Sequence, residues 1–195
     1  MKYEKKPNVS ISIYGDGGAN QGQIFEAFNM AKLWNLPCIY HCDNNGYGYS
    51  TKAERSTAMT DLYKRGDFIP GIRVDGMDIL AVREAFIFAK NYALEHGPIL
   101  VETMSYRYSG HNAKDEGTSY RSKDEINLFQ QRKDPIKNFM NRIVNKNLAD
   151  EEELKLIHRA IKEEVQLTVK KVKGKNELPL THLYEDVYKT LNYHL

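Results

Sequence analysis

The sequence predicts an α/β fold with a mostly parallel sheet flanked by helices, and a helical C-terminal third. Three observations carry this reading. Short β-branched runs alternate with segments of helical periodicity up to residue 104. The first three runs end in loops rich in glycine, asparagine or aspartate. After residue 121, three helix-start signals follow one another.

Val9 to Tyr14 (VSISIY) reads as a buried parallel strand running into the Gly15-Asp16-Gly17-Gly18 cluster. Ile24, Phe25, Phe28, Ala31 and Leu33 recur at near-helical spacing, which predicts a helix over Gln21 to Trp34. Pro37 to Cys42 is the second strand, ending at Asp43-Asn44-Asn45-Gly46, a strong loop signal. Ile72 to Val74 is a minimal third strand; Asp78 caps a helix from Ile79 to about His96; and Pro98 to Met104 is the fourth strand. Residues 106–121 are polar and aromatic without periodicity, a loop too long for an ordinary connection. Ser122 with Glu125 reads as a capping box, Asp134-Pro135 as a cap and first helical residue, and Asp150 with Glu153 as the start of a helix to about Lys173. Only eight residues precede Val9, too few for a βα unit of roughly 30 residues. The first strand is therefore expected at a sheet edge, or the chain is the C-terminal part of something larger.

Composition narrows the function classes. Lys+Arg 28 against Asp+Glu 26 gives a net charge of +2, too balanced for an electrostatic nucleic-acid surface. At 41% hydrophobic and 28% charged residues the chain has the make-up of a folded domain with a core. No apolar run approaches the ~20 residues of a membrane helix. Met1 to Pro7 lack the apolar stretch of a signal peptide and the character of a transit peptide. Two cysteines cannot build a disulfide scaffold, and a reducing compartment is the simpler reading. Cys38 and Cys42 share one strand face while His41 points to the other, so they read as core residues and not as a zinc cluster. Lys170 to Lys175 is read as the solvated, dipole-compensating end of a helix.

Chemistry concentrates in two loops. Twenty-six residues separate Gly17 from Asn44, and each loop follows a strand. Successive parallel strands deliver both to the carboxyl edge of the sheet, where ligands bind. Asp16 supplies a hard anionic oxygen and Asn45 a neutral amide oxygen, a set suited to Mg²⁺ or Ca²⁺. The glycines let backbone approach a phosphate, and the following helix N-terminus favours anions. A divalent cation bridging a diphosphate is the natural occupant. Tyr47 and Tyr49 follow the second of these loops and Tyr106, Tyr108 and Tyr120 lie in 106–121, where subunit contact and ligand contact are equally open roles.

Gly-Asp-Gly followed at this interval by Asn-Asn resembles the thiamine diphosphate fingerprint. The surrounding segments (GDGGANQGQIFEAFNMAKLWNLPCIY, DNNGYGYST, YKRGDFIPGIRVDGMDI, GPILVET and YRYSGHNAKDEGTSYR) look like the alpha subunit of the pyruvate dehydrogenase decarboxylating component, over nearly the whole chain. The resemblance implies a thiamine diphosphate-binding fold whose N-terminal part is missing here. It implies an α/β domain over 1–121, active-site loop 106–121 included, with 122–195 as a helical extension. It also implies Mg²⁺ ligation by Asp16, Asn45 and the Tyr47 carbonyl, with Gly17 and Gly18 against the diphosphate. His111 would approach cofactor and substrate, for proton transfer or charge stabilisation. The implied reaction is oxidative decarboxylation of pyruvate with acetyl transfer to a lipoyl-bearing acetyltransferase. The implied partner is a beta subunit in an α2β2 heterotetramer, which supplies the activating glutamate. A mitochondrial matrix or other organelle follows from the family; the lack of a targeting segment leaves the cytoplasm open.

Departures from the family pattern are specific. Asn112 stands where animal relatives have a kinase-target serine, Met59 at another such position, and Ser109 where they have histidine; Ser119 keeps one regulatory position. A segment carrying a cofactor-contacting Tyr-Arg pair is missing. The alternatives are a truncated, non-catalytic paralogue that binds the beta subunit or cofactor only, and a branched-chain 2-oxo acid dehydrogenase alpha subunit. The loop 106–121 is expected to order when metal and diphosphate bind.

Overall fold

A computed structural model describes residues 6–185. Residues 1–5 and the last ten of the 122–195 extension lie outside them, and with them most of the expectation drawn from Met1 to Pro7. The chain falls into two compact units, Met1–Arg142 and Ile143–Leu195.

The first unit is built on strands β1 (Ser10–Gly15), β2 (Cys38–Asn44), β5 (Gly71–Asp75) and β6 (Ile99–Met104), all parallel, in the order β1-β2-β6-β5. A two-stranded antiparallel ribbon, β3 (Tyr47–Gly48) and β4 (Thr51–Lys52), follows β2 and leads into the one-turn helix α2 (Ala53–Ser56). The α/β expectation is correct, with every long strand parallel. β1 occupies an edge, and Ile13 there is 70% exposed. β2 runs two residues further than expected, because Asn44 pairs with Met104 and its carbonyl accepts the Ser105 N–H at 2.9 Å. Asn45, not Asn44, is therefore the first loop residue.

Alternation of side chains along the strands builds two cores. On one face Ile39, Ile99 and Val101 pack against Ala89 and Ala93 of helix α3 (Ile79–His96). On the other, Leu100 meets Phe28 of helix α1 (Gly22–Leu33) together with Ile69. β6 is buried along Ile99–Thr103, which is why it reads as a continuous apolar run with one charge, Glu102. Cys42 packs with Ala19 and Leu62, while the His41 ring lies edge-on to Phe86 beside the α3 core and pairs with Thr103 Oγ1 at 2.8 Å. Burial pushes the Cys42 thiol up to about 12 and lowers the His41 pKa.

The helix caps follow the sequence signals. Asp78 accepts the N–H groups of Leu80 and Ala81 at 2.9 and 3.2 Å, and Ser122 accepts that of Glu125 at 3.1 Å, opening α4 (Lys123–Lys133). Asp134 accepts the Lys137 N–H at 2.8 Å where α5 (Pro135–Asn145) begins. The capping box at Ser122 forms by half only. Glu125 turns its carboxylate to the hydroxyls of Tyr106 at 2.9 Å and Tyr47 at 3.3 Å, two charge-assisted bonds in place of one to backbone.

The second unit is dominated by α6 (Glu151–Lys173), capped by Asp150 on the Glu153 N–H at 2.8 Å. Its acidic first turn and basic last turn oppose the helix dipole, and Ile157, Ile161 and Val165 are exposed at i, i+4 spacing. No described helix is long and apolar enough to cross a membrane.

Candidate functional site

Parallel pairing aligns Gly15, Asp43, Thr103 and Val74 in one row across the sheet, so the loops after β1, β2 and β6 leave the same edge. Gly15-Asp16-Gly17 turns there into a short 3-10 turn, Gly18–Asn20, ahead of α1. Arg65 clamps that turn, donating to the Ala19 carbonyl and to Asn20 Oδ1 at 2.8 Å.

Asp16 is 4% exposed, and its Oδ2 has no hydrogen-bond partner among the described residues. Burial raises its pKa; hydrogen bonds from the Asp16 and Gly17 N–H groups and the charge of Arg107 act the other way. A buried carboxylate oxygen left bare is a group waiting for a cation or a proton. Gly17 faces the β3–β4 ribbon so closely that a Cβ added to it would lie 3.1 Å from Gly48 Cα. This contact joins the Gly-Asp-Gly turn to the segment that follows Asn45.

Gly46 takes φ +81, which lets the chain reverse after the asparagine pair. Asn45 is half-buried and its Oδ1 accepts the Tyr47 N–H at 3.2 Å. Tyr47 is buried, its ring under the Arg121 guanidinium at 5.5 Å. A cleft of about 410 Å³ takes in Asn45 and Tyr47 together with Lys52, Arg73 and Glu125, but neither Asp16 nor His111 lines it.

His111 is exposed on the long loop. Its ring meets Tyr49 edge-on at 5.2 Å, and Tyr49 sits in the left-handed region at φ 59 at the ribbon's turn. Thus Gly17 and His111 meet one ribbon, Tyr47 to Lys52, from opposite loops, and Asp16 immediately precedes Gly17. Gly18 is set apart from this contact: a Cβ there would touch Tyr14 at 3.4 Å.

Four residues that sequence reasoning passed over hold this arrangement. Arg121, 3% exposed, donates to the carbonyls of Arg107, Ser109 and Gly117 and so ties the ends of the loop together. Arg107 donates to the Tyr49 carbonyl at 2.9 Å and to the Tyr120 hydroxyl at 2.7 Å. Glu102 is fully buried; Arg73 meets it at 3.1 Å and Asn44 Nδ2 at 2.7 Å. Arg65 completes the set. Glu102 had a signal, a lone charge inside an apolar strand. The arginines had none, since their role is defined by the backbone carbonyls that the folded chain brings to them, in another loop for Arg65 and Arg107 and within the loop itself for Arg121.

The comparisons agree with this frame. The family model described as Dehydrogenase E1 component matches residues 1–181. A "Probable pyruvate dehydrogenase E1 component subunit alpha, mitochondrial" of Caenorhabditis elegans is 52% identical over 189 residues, 96% of this chain and 48% of the relative. The type I alpha subunit of Ascaris suum is 48% identical over 189 residues, again 96% of this chain and 48% of its own length. The human somatic-form alpha subunit is 52% identical over 190 residues, 97% of this chain and 49% of the relative. The chain thus spans about half the length of these relatives. With an α/β frame, a Gly-Asp-Gly turn at its carboxyl edge and a family match over most of its length, the chain belongs to the dehydrogenase E1 component family.

Proposed function

We propose that this chain holds Mg²⁺ and the diphosphate of thiamine diphosphate in a pyruvate dehydrogenase E1 alpha subunit. The observation that carries the reading is the buried Oδ2 of Asp16, without a partner among the described residues and next in sequence to the Gly17–Gly48 contact. Asp16 would give the metal its anionic ligand, Asn45 its side-chain oxygen and Tyr47 its carbonyl, an all-oxygen set that suits Mg²⁺. Asn45 Oδ1 now bonds the Tyr47 N–H, so it would serve the metal through its second lone pair or by a small turn of χ2. Gly17 and Gly18 offer bare backbone to the diphosphate.

When bound, thiamine diphosphate supplies the electron sink for decarboxylating a 2-oxo acid. The chain's own residues anchor and orient. Arg121 and Arg107 shape the loop 106–121, and that loop carries His111 to the ribbon beside the metal ligands. In this reading the α/β part up to residue 121 bears these groups, and helices α4, α5 and α6 follow it. The relatives' names support pyruvate as substrate and a mitochondrial setting. The reading includes a beta subunit, which contributes the activating acid in an α2β2 assembly, and a lipoyl-bearing acetyltransferase as acceptor.

The test is calorimetric titration of Mg²⁺ with thiamine diphosphate into the chain assembled with its beta subunit. Asp16→Ala is expected to lose cofactor binding at least ~100-fold, the range for a charged ligand at a buried site. Unchanged affinity overturns the metal assignment. Full binding without turnover on pyruvate would mark a chain that binds and does not catalyse.

A further inference from the structure

The guanidinium of Arg107 reaches the imidazole of His111 in a way that leaves the ring one neutral form. Its Nη1 lies 3.2 Å from His111 Nδ1. Guanidinium has five N–H donors, no acceptor, and does not lose its proton in proteins. Only a bare Nδ1 lone pair can meet it, and a neutral imidazole with a bare Nδ1 carries its hydrogen on Nε2.

Arg107 is not free to turn away. Its Nη2 donates to the Tyr49 carbonyl at 2.9 Å and to the Tyr120 hydroxyl at 2.7 Å. Tyr120 passes its own hydrogen to Asp115 Oδ2 at 2.7 Å, and the same oxygen accepts the His111 backbone N–H at 2.7 Å. The chain of contacts therefore begins and ends on the histidine. Tyr49 closes the other side, its ring edge-on to the imidazole at 5.2 Å. The ring is held at both its backbone and its Nδ1, so one nitrogen is assigned and the other is left for chemistry.

We infer that Arg107 is a positioning residue that fixes His111 as the Nε2–H tautomer, so that the loop presents a hydrogen-bond donor at Nε2. A donor there suits an anionic phosphoryl oxygen or the oxygen of a 2-oxo acid, and a nitrogen already protonated accepts no further proton. Of the two roles open to His111, proton transfer and charge stabilisation, the geometry selects the second. This consequence rests on the function proposed above; the tautomer itself does not.

The experiment is a long-range proton–nitrogen correlation spectrum of the full chain labelled with nitrogen-15 in histidine. It is recorded without metal or cofactor at about pH 8, above the ordinary imidazole range. Subtraction of the His111→Gln spectrum assigns the His111 resonances among the six histidines. The expected result is a pyridine-like shift for Nδ1 and a pyrrole-like shift for Nε2. In Arg107→Met both should move toward the averaged values of a free imidazole, and Arg107→Lys, which keeps a cationic donor, should hold them near the original positions. A pyrrole-like Nδ1 in the unsubstituted chain overturns the inference, whatever the variants do. So does a pair of shifts that Arg107→Met leaves in place. Because no cofactor is present, failure of Mg²⁺ and thiamine diphosphate to bind in the titration above leaves this result standing, and the reverse.

Discussion

The fully buried carboxylate of Glu102 takes the side-chain amide of Asn44 at 2.7 Å, which ties the central strand β6 to the end of β2 one residue before Asn45. The same carboxylate accepts the Tyr63 N–H at 3.1 Å and meets Arg73 at 3.1 Å, while Arg73 also pairs with Asp61 at 2.8 Å. Asn44 in turn accepts the Gly46 N–H at 3.1 Å, so a charge in the core shapes the loop that carries the candidate metal ligands.

Removing that charge should therefore cost both stability and site order. Glu102→Ala leaves Asn44 and the Tyr63 N–H unpaired in the core and is expected to lose about 3 kcal/mol in urea denaturation. A loss below about 1 kcal/mol would mean that Asp61 and water replace the carboxylate without strain.

Asp16 should show opposite signs for stability and binding. Its folded pKa is raised by burial, so the native state holds the proton more tightly than the unfolded chain. Stability contributed at this position then falls as pH rises from the ordinary carboxylate range through the raised value. Asp16→Asn removes the buried charge and is expected to stabilise the cofactor-free chain by about 1 kcal/mol, while abolishing stabilisation by Mg²⁺ and thiamine diphosphate. Melting curves of both proteins with and without the two ligands test this, and a destabilised Asn variant in the free chain would falsify it.

His111→Ala should leave folding nearly untouched, because the side chain is exposed and its removal changes stability by no more than about 0.5 kcal/mol. Turnover of the assembled enzyme is expected to fall by about 10²-fold or more, the range for a positioned polar group at a reacting centre. Near-normal turnover would reduce the loop to a connection.

Arg121 closes the loop on itself through three backbone carbonyls and stacks on Tyr106 at 5.4 Å and Tyr120 at 5.3 Å. Arg121→Gln cannot span them. Hydrogen exchange across residues 106–121 is expected to quicken at least ~10-fold, one decade per 1.4 kcal/mol of lost local stability, with the sheet unchanged. Mg²⁺ with thiamine diphosphate should slow exchange in the unsubstituted loop; equal exchange in both states would remove the loop from the site.

Asp115 is the pH-sensitive member of that loop. The His111 N–H, the Tyr120 hydroxyl and the Gly117 N–H bond its carboxylate and lower its pKa to about 2 from 3.8. Because the folded pKa lies below the unfolded one, its stabilisation is complete above the ordinary carboxylate range and is lost as pH falls through about 2. A carbon-detected titration of the Asp115 carboxyl should find its midpoint there; a midpoint near 3.8 would show that the three donors do not hold it.

The sequence by itself determined the alternation of the long strands with helices, the parallel sense of the sheet, and the starts of α3, α4, α5 and α6. These depend on local chemistry: β-branched runs, apolar spacing, and a side-chain oxygen at Asp78, Ser122, Asp134 or Asp150 that satisfies an N–H two or three residues on. The Gly-Asp-Gly and Asn-Asn loops were legible for the same reason, since strand direction alone sends both to one edge. Strand ends were less so. β2 extends to Asn44 because β6 pairs with it, and the paired residues of β6 lie 60 positions later. The tertiary structure alone decided what Glu125 and the arginines do. Glu125 left its capping position for two tyrosine hydroxyls, and Arg107 met Tyr49 from another loop as well as Tyr120 and His111 of its own. Such partners are chosen by whichever acceptors the folded chain brings within about 3 Å, a condition that exists only once the sheet has set the loops side by side.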